Sequence, residues 1–294
     1  VTGRRAAAEL RFGTASYRTA QRVIRRVTGL RYQTATVAGR RCTWLRGGRG
    51  EPLLLIHGFG DRKETFTPLC MALYRHFDLI LVDMPGFGDA PVVSSAHITP
   101  PAQSRFLAAF LDALGLGSVH VCGQSMGGGL AARFVDDHPD RARSLTILSG
   151  AGPDGLSDEF EAFRSRGRNL LLIRSLADFE QLLDLGFSRP LPYPRPIRRH
   201  LASQFALRRA EHAGHFNRLL NPEPGEEFAR TYPSISARTQ VIYGRQERLV
   251  HPDNMHTYAS GIPGATLHVL DNVGHNPHHE AIGFVAKRLR AMLR

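Results

Sequence analysis

The stretch SVHVCGQSMGGGLAARFVDDH, residues 118–138, decides the fold. Its first half is a short apolar run bounded by polar residues and glycine, the signature of a buried strand. Its second half has the spacing of an amphipathic helix, and GQSMG at 123–127 lies between the two. G-x-S-x-G in a strand–turn–helix context is a nucleophile elbow. The turn is so tight that its neighbours must lack bulk, and Gly123, Gly127 and Gly128 meet that need. Ser125 is then left at the end of a strand with its hydroxyl exposed. A glycine-rich turn that only packs a helix on a strand is the plainer alternative, and the flanking pattern disfavours it.

Outward from the elbow, the same rhythm repeats. PLLLIHG (52–58), DLILVDM (78–84) and SLTILSG (144–150) are further short apolar runs ending in glycine or polar residues. Helical patterns cover roughly 64–75, 100–114 and 126–138. YQTATV (32–37) and RCTWLR (41–46) read as two antiparallel strands ahead of them. Such alternation predicts an α/β fold, a mostly parallel central sheet flanked by helices, with functional residues at the C-terminal strand ends. The rhythm breaks over 152–232, where NLLLIRSLADFEQLLDLGF (169–187) and the proline-rich RPLPYPRP (189–196) predict inserted helices. TQVIY (239–243) and ATLHVL (265–270) restore two strands, and 280–293 closes as an amphipathic helix. The expected organisation is a basic arm (1–31), a core in two pieces (32–151 and 233–294) and an inserted helical cap (152–232).

A serine hydroxyl needs a base within hydrogen-bond reach. His275, in NVGH directly after the strand ATLHVL, is the well-placed candidate. His57, in HGFG (57–60), suits fixing a loop better than moving a proton. His278 and His279 lie in HNPHHE, which lacks the zinc-binding H-E-x-x-H spacing. His212 and His215 fall in the helical insertion and are expected on the surface.

The base in turn needs an acid to hold its tautomer and stabilise the imidazolium. Glu247 follows TQVIYG by three residues and is the favoured candidate; Asp154, Asp253 and Asp271 are the rivals. Serine, acid, histidine is the chain order this kind of sheet requires. Glutamate carries its carboxylate about 1.5 Å farther from the backbone than aspartate does, so the loop must be set back or the side chain folded. Acyl transfer also develops an oxyanion, and each aimed N–H is worth about 2.7–4 kcal/mol of barrier. The backbone N–H groups of Met126 and Phe59 are the candidates for this oxyanion hole.

HGFG, DMPGFGDA (83–90), GQSMGG, the G-x-x-E stretch after TQVIY and VGHNPHHE (273–280) occur in the order and spacing of the α/β-hydrolase superfamily, which the chain resembles from about residue 50 to the C-terminus. The insertion sits where that superfamily carries its cap. HGFGDRKETF, LVDMPGFGD and SLTILSGAG are most similar to bacterial lipases and esterases and to the monoacylglycerol-lipase-like group of membrane-associated hydrolases. The resemblance implies hydrolysis of carboxylic esters without a cofactor, through an acyl-serine intermediate. The same scaffold also serves carbon–carbon bond hydrolases, thioesterases, lactonases and small-molecule receptors. Dehalogenases and epoxide hydrolases of this layout need a carboxylate nucleophile, and position 125 is serine.

Composition agrees with a globular enzyme: 42% hydrophobic and 22% charged among 294 residues. The formal charge of +12 is concentrated, because residues 1–49 hold twelve arginines and one acid, Glu9. The body is therefore nearly neutral, which disfavours a nucleic-acid partner, while the arm suits an anionic membrane surface. Residues 15–28 read as a short amphipathic helix with Tyr17, Ala20, Ile24 and Val27 on its apolar face. No apolar run approaches the ~20 residues that span a bilayer, and no secretory leader is legible after Val1. A cytoplasmic protein, or one peripheral to a membrane, is expected. The three cysteines, Cys42, Cys70 and Cys122, have neither disulfide nor metal-ligand spacing, and no cofactor or metal is expected.

Overall fold

The computed structural model describes residues 2–191 and 193–293; Val1 at the head of the arm, Pro192 in the proline-rich stretch and Arg294 lie outside the described residues. The chain opens with helix α1 (Thr2–Thr28). It is nearly twice as long as the helix expected over 15–28, because the alanines and arginines that precede Gly13 are strong helix formers. Gly13 stays within the helix for a packing reason: a Cβ there would lie 1.8 Å from the carbonyl oxygen of Pro196. The helix stops at Gly29, whose φ of +73° is the left-handed conformation common just past a helix end.

Strands β1 (Arg31–Val37) and β2 (Arg40–Gly48) form an antiparallel hairpin. Its turn residues, Ala38 and Gly39, both have positive φ (48° and 76°), as the favoured two-residue turn requires. Then follow β3 (Glu51–Ile56), α2 (Thr67–Leu73), β4 (Phe77–Val82), α3 (Pro100–Ala113), β5 (Val119–Gln124), α4 (Met126–Asp137) and β6 (Ala142–Leu148). Helices α5 (Asp158–Ser165), α6 (Leu176–Gly186), α7 (Arg195–Leu207) and α8 (Arg209–Leu220) occupy the segment where the strand rhythm breaks. The chain ends with β7 (Arg238–Gly244), α9 (Asp253–Gly261), β8 (Thr266–Leu270), α10 (Pro277–Glu280) and α11 (Ile282–Ala291).

The strands of the described residues form one sheet in the order β1-β2-β4-β3-β5-β6-β7-β8, antiparallel only where β2 meets β1 and β4. Side chains alternate across it with period two. Leu54, Ile56, Ile80 and Val82 pack with α3 and α4 on one face; Leu53, Leu55, Leu79 and Leu81 pack with α2 and α11 on the other. Both faces are covered, which is why the central strands read as continuous apolar runs. The chain moves from β3 outward to β4 and then back across to β5, so the strand order reverses between β3 and β5. A crevice at such a switch point is where open α/β sheets place their ligands. The loops leaving β3 and β5 are HGFG and GQSMG.

Candidate active site

Ser125 occupies the turn from β5 into α4 with φ 55° and ψ −124°. A non-glycine residue at such a φ is strained by about 1–3 kcal/mol and persists only where its surroundings hold it. Three backbone bonds do so. Ser125 N–H donates to Leu148 O (2.9 Å), and its carbonyl accepts from Gly128 and Ala151 N–H (2.8 Å each). Bulk is excluded on both sides: a Cβ on Gly123 would lie 2.0 Å from Gly127 O, and one on Gly127 would lie 2.2 Å from Ile56 O.

His275 follows β8. Its backbone N–H donates to Gly186 O (3.0 Å), and its carbonyl accepts from Gln124 Nε2 (3.1 Å), the residue beside Ser125. Its Nδ1 lies 2.8 and 2.9 Å from the two carboxylate oxygens of Glu247, and both side chains are buried. The extra methylene of Glu247 is taken up by folding back: Oε1 also accepts from the backbone N–H of Leu249 (2.9 Å) and Val250 (3.3 Å) in its own loop. With the carboxylate held there as an acceptor, Nδ1 carries the proton and Nε2 is left free to accept one.

The rival acids are committed elsewhere. Asp154 Oδ1 pairs with Arg230 (2.8 Å), and its Oδ2 accepts from Thr257 Oγ1 (2.5 Å). These hydrogen bonds, together with the Arg230 charge, hold its carboxyl below the usual range against the opposing effect of burial. Asp271 pairs with Arg245 and Asp253 faces His251, both at exposed positions.

The loop after β3 is pinned by His57, whose Nε2 accepts from Met84 N–H (3.1 Å) while Nδ1–H donates to Gly58 O (2.8 Å). The ring thus braces the loop against the segment after β4. Phe59 stacks edge-on to Phe87 (5.3 Å) and Phe216 (5.6 Å), which fixes its backbone. Met126 begins α4, where a helix N–H has no intrahelical acceptor and is available to a ligand.

His212 and His215 are not on the surface: each is 2% exposed, packed against Phe59 and Phe87 or against Phe87 alone. Burial, with Arg208 nearby, lowers His212 to about 3, so its ring is neutral near pH 7. The helix hydropathy gave no sign of this, because the rings that cover these histidines come from loops far away in sequence. The rings of His278 and His279 lie tilted to each other, 4.3 Å apart, beside Thr65, and burial lowers both. Among the described residues no set of three His, Cys, Asp or Glu gathers as a metal site.

Two cavities meet at Ser125. One, of about 290 Å³, is bordered by Ser125, His275, Phe59, Phe179, Leu182 and His212. The other, of about 630 Å³, is bordered by Ser125, Met126, Leu156, Phe216, Leu219 and Phe228. Residues 51–282 match the family model of the alpha/beta hydrolase fold. The chain belongs to the alpha/beta hydrolase family.

Among its relatives, Lipase 1 of Psychrobacter immobilis is 30% identical, over 93% of this chain and 88% of the lipase. A 2-hydroxy-6-oxononadienedioate/2-hydroxy-6-oxononatrienedioate hydrolase of Cupriavidus pinatubonensis is 29% identical, over 78% of this chain and 82% of its own. A crystal structure of a membrane phospholipase A, described as a bacterial virulence factor, superposes with a TM-score of 0.88 at 28% identity, covering 96% of this chain and 91% of that one. Like the sheet, this likeness includes the end of the chain that precedes residue 51.

Two features of this alpha/beta hydrolase were not legible in its sequence. The first is that α1 reaches the site: Tyr17 and Gln21 border the same cavity as Ser125. The second is the face α1 turns inward. Tyr17 and Ile24 are half-buried as expected, but Ala20 is exposed and Val27 is 46% exposed. The contact face instead uses Gly13, Thr14, Tyr17, Gln21 and Thr28, with Thr14 Oγ1 3.0 Å from His200 Nδ1 and Gln21 Nε2 donating to Thr67 Oγ1 (3.0 Å). Polar pairing across α7 and α2 outweighed the apolar stripe.

Proposed function

We propose that the protein is a serine hydrolase that cleaves carboxylic esters with an apolar acyl part. The observation that carries this reading is that His275, paired with the buried Glu247 carboxylate (2.8 Å), borders one cavity with the strained Ser125. Glu247 holds Nδ1–H, so His275 Nε2 takes the proton as Ser125 Oγ attacks the ester carbon. The same imidazolium then protonates the leaving alcohol, and water repeats the cycle on the acyl-serine. The N–H groups of Phe59 and Met126 hold the oxyanion, at about 2.7–4 kcal/mol each. The larger cavity, with Leu156, Phe216, Leu219 and Phe228, takes the acyl chain, and the cavity beside His275 takes the alcohol. Relatives that are lipases support the ester reading.

Residues 152–232 act as the cap over both cavities, on the core formed by 32–151 and 233–294. The arm, residues 1–31, sits on an anionic membrane surface: Phe12 (65% exposed), Val23 (57%) and Val27 lie on its outer side among arginines. No helix of the described residues is long and apolar enough to cross a membrane. Replacing Phe12 and Val23 by glutamate should weaken binding to anionic vesicles, and unchanged binding would remove the surface role.

The test of the main reading is hydrolysis of p-nitrophenyl esters of graded chain length, with Ser125→Ala losing about 10⁶ in kcat. Inertness toward every ester, with no labelling by a fluorophosphonate, would overturn it. A second reading, carbon–carbon bond hydrolysis, is favoured by the relative of 29% identity named as a hydrolase of 2-hydroxy-6-oxo-dienedioates. Turnover of a 2-hydroxy-6-oxo-dienoate faster than of any ester would establish it in place of the first.

A further inference from the structure

Helix α1 does more than lean on the fold. Between it and α7 runs a groove of about 1070 Å³. Tyr17, Gln21, Arg62, Glu64 and Gln204 border both this groove and the cavity that holds Ser125 and His275, so the two spaces adjoin. The side of the groove formed by α1 is a row of guanidinium groups. Arg18, Arg22 and Arg25 follow at spacings of four and three, which puts neighbouring side chains about 5–6 Å apart on one helix flank.

Charge pairing separates this row from the other arginines nearby. Arg62 pairs with Asp89 and Glu64, Arg174 with Asp178, and Arg199 with Glu9. Arg25 lies over the Tyr32 ring at 4.5 Å. Among the described residues Arg18, Arg22 and Arg25 have no carboxylate partner within ion-pair distance. The local field is positive: His200, which borders the same groove, is lowered by burial and then by the charges of Arg62 and Arg18. Beside the row, Gln21 donates through Nε2 to Thr67, while its Oε1 is buried and takes no hydrogen bond from the described residues. Gln21 thus ties the row to α2 and borders both the groove and the cavity.

We propose that this groove is a head-group subsite, in which Arg18, Arg22 and Arg25 hold a phosphate carried by the alcohol part of the ester. The inference rests on the ester-hydrolase reading and names its substrate class: acyl esters of a phosphorylated polyol. Three uncompensated positive charges outmatch a single carboxylate, whereas a phosphate monoester brings about −1.5 to −2 and three acceptor oxygens. Guanidinium forks suit those oxygens, through short charge-assisted bonds. The layout is consistent along its length, with the acyl cavity on one side of Ser125, the alcohol cavity on the other, and the basic groove beyond it.

The experiment compares two esters with the same short acyl chain, one on glycerol and one on glycerol 3-phosphate, both kept monomeric in solution. The expected result is a kcat/KM at least about tenfold higher for the phosphate ester, expressed mainly in KM. Arg18→Gln/Arg22→Gln should erase most of that preference, and Arg18→Lys/Arg22→Lys should restore part of it. Thermal unfolding of each variant reports whether α1 still packs. Cleavage of both esters at equal kcat/KM, or a preference that survives the double substitution, would overturn the subsite while leaving the hydrolase reading intact. A preference seen only on anionic vesicles would also overturn it and give the arginines to the membrane surface. If neither ester is cleaved, the hydrolase reading fails, and calorimetric titration of Ser125→Ala with glycerol 3-phosphate decides the subsite by itself. Binding there that the double substitution abolishes supports it. No binding, or binding no tighter than that of inorganic phosphate alone, rejects it.

Discussion

His275 and His212 border the same cavity from different parts of the chain, and the two rings differ in what stands behind them. His275, after β8, has the Glu247 carboxylate at 2.8 Å from Nδ1. His212, on α8, has Phe59 and Phe87 around it, and its Nε2 takes no partner among the described residues. Both are buried, at 4% and 2% exposure, so burial alone does not make a base. A carboxylate fixes the proton on one nitrogen and stabilises the charged ring; aromatic surroundings do the reverse and hold the imidazole neutral. Position in the cavity is therefore a weaker guide to chemistry than the group one bond further back.

The largest test removes that group. Glu247→Gln should cost about 10⁴ in kcat for p-nitrophenyl esters, the scale of a lost relay acid, with the fold intact by circular dichroism. Near-normal turnover would mean that another acid serves His275. Glu247→Asp asks a finer question. Its carboxylate falls about 1.5 Å short of the folded-back position that bonds Leu249 and Val250, and a displacement of that order should cost about 10²-fold in kcat.

His212→Gln probes the other ring. Its loss should change kcat by about tenfold or less, through the Phe59 loop it touches rather than through proton transfer. The pH dependence of stability is the sharper readout. His212 has a folded pKa of about 3, below its unfolded value of ~6.5. The unfolded chain thus binds a proton more readily, so stability is greatest above ~6.5 and falls as pH is lowered toward about 3. Melting temperatures between those limits should fall less steeply in His212→Gln than in the wild type.

The smallest effect on activity belongs to Asp154→Asn, which should keep kcat within a few-fold, since that carboxylate serves Arg230 and Thr257. Its lowered pKa adds stability that is present above the unfolded value near 3.9 and lost as pH falls through the folded one. The variant should lose part of the acid limb of the stability curve, and a large loss of kcat would contradict the assignment.

What could be read in advance follows the same division between local and distant causes. The strands and the elbow were legible because their signals are local: apolar runs, alternation and GQSMG within six residues of a strand end. Ser125, Glu247 and His275 could be named as candidates for the same reason, since each lies at or just past a strand end. How the glutamate meets the ring was not legible, since it depends on its carboxylate turning back onto amides two and three residues ahead. The buried histidines of α8 and the inward face of α1 were misread because their partners, Phe59, Phe87, His200 and Thr67, lie dozens of residues or more away. A helical wheel weighs a side chain by its own polarity, and here the neighbour decided.

Ester cleavage by Ser125 must pass through an acyl-serine. Brief exposure of the protein to p-nitrophenyl octanoate, acid quenching and peptide mass mapping measures it directly. The expected result is an octanoyl group on Ser125 that accumulates in Glu247→Gln or is trapped early in the wild type. Turnover with no adduct, or an adduct on a residue other than Ser125, would contradict it.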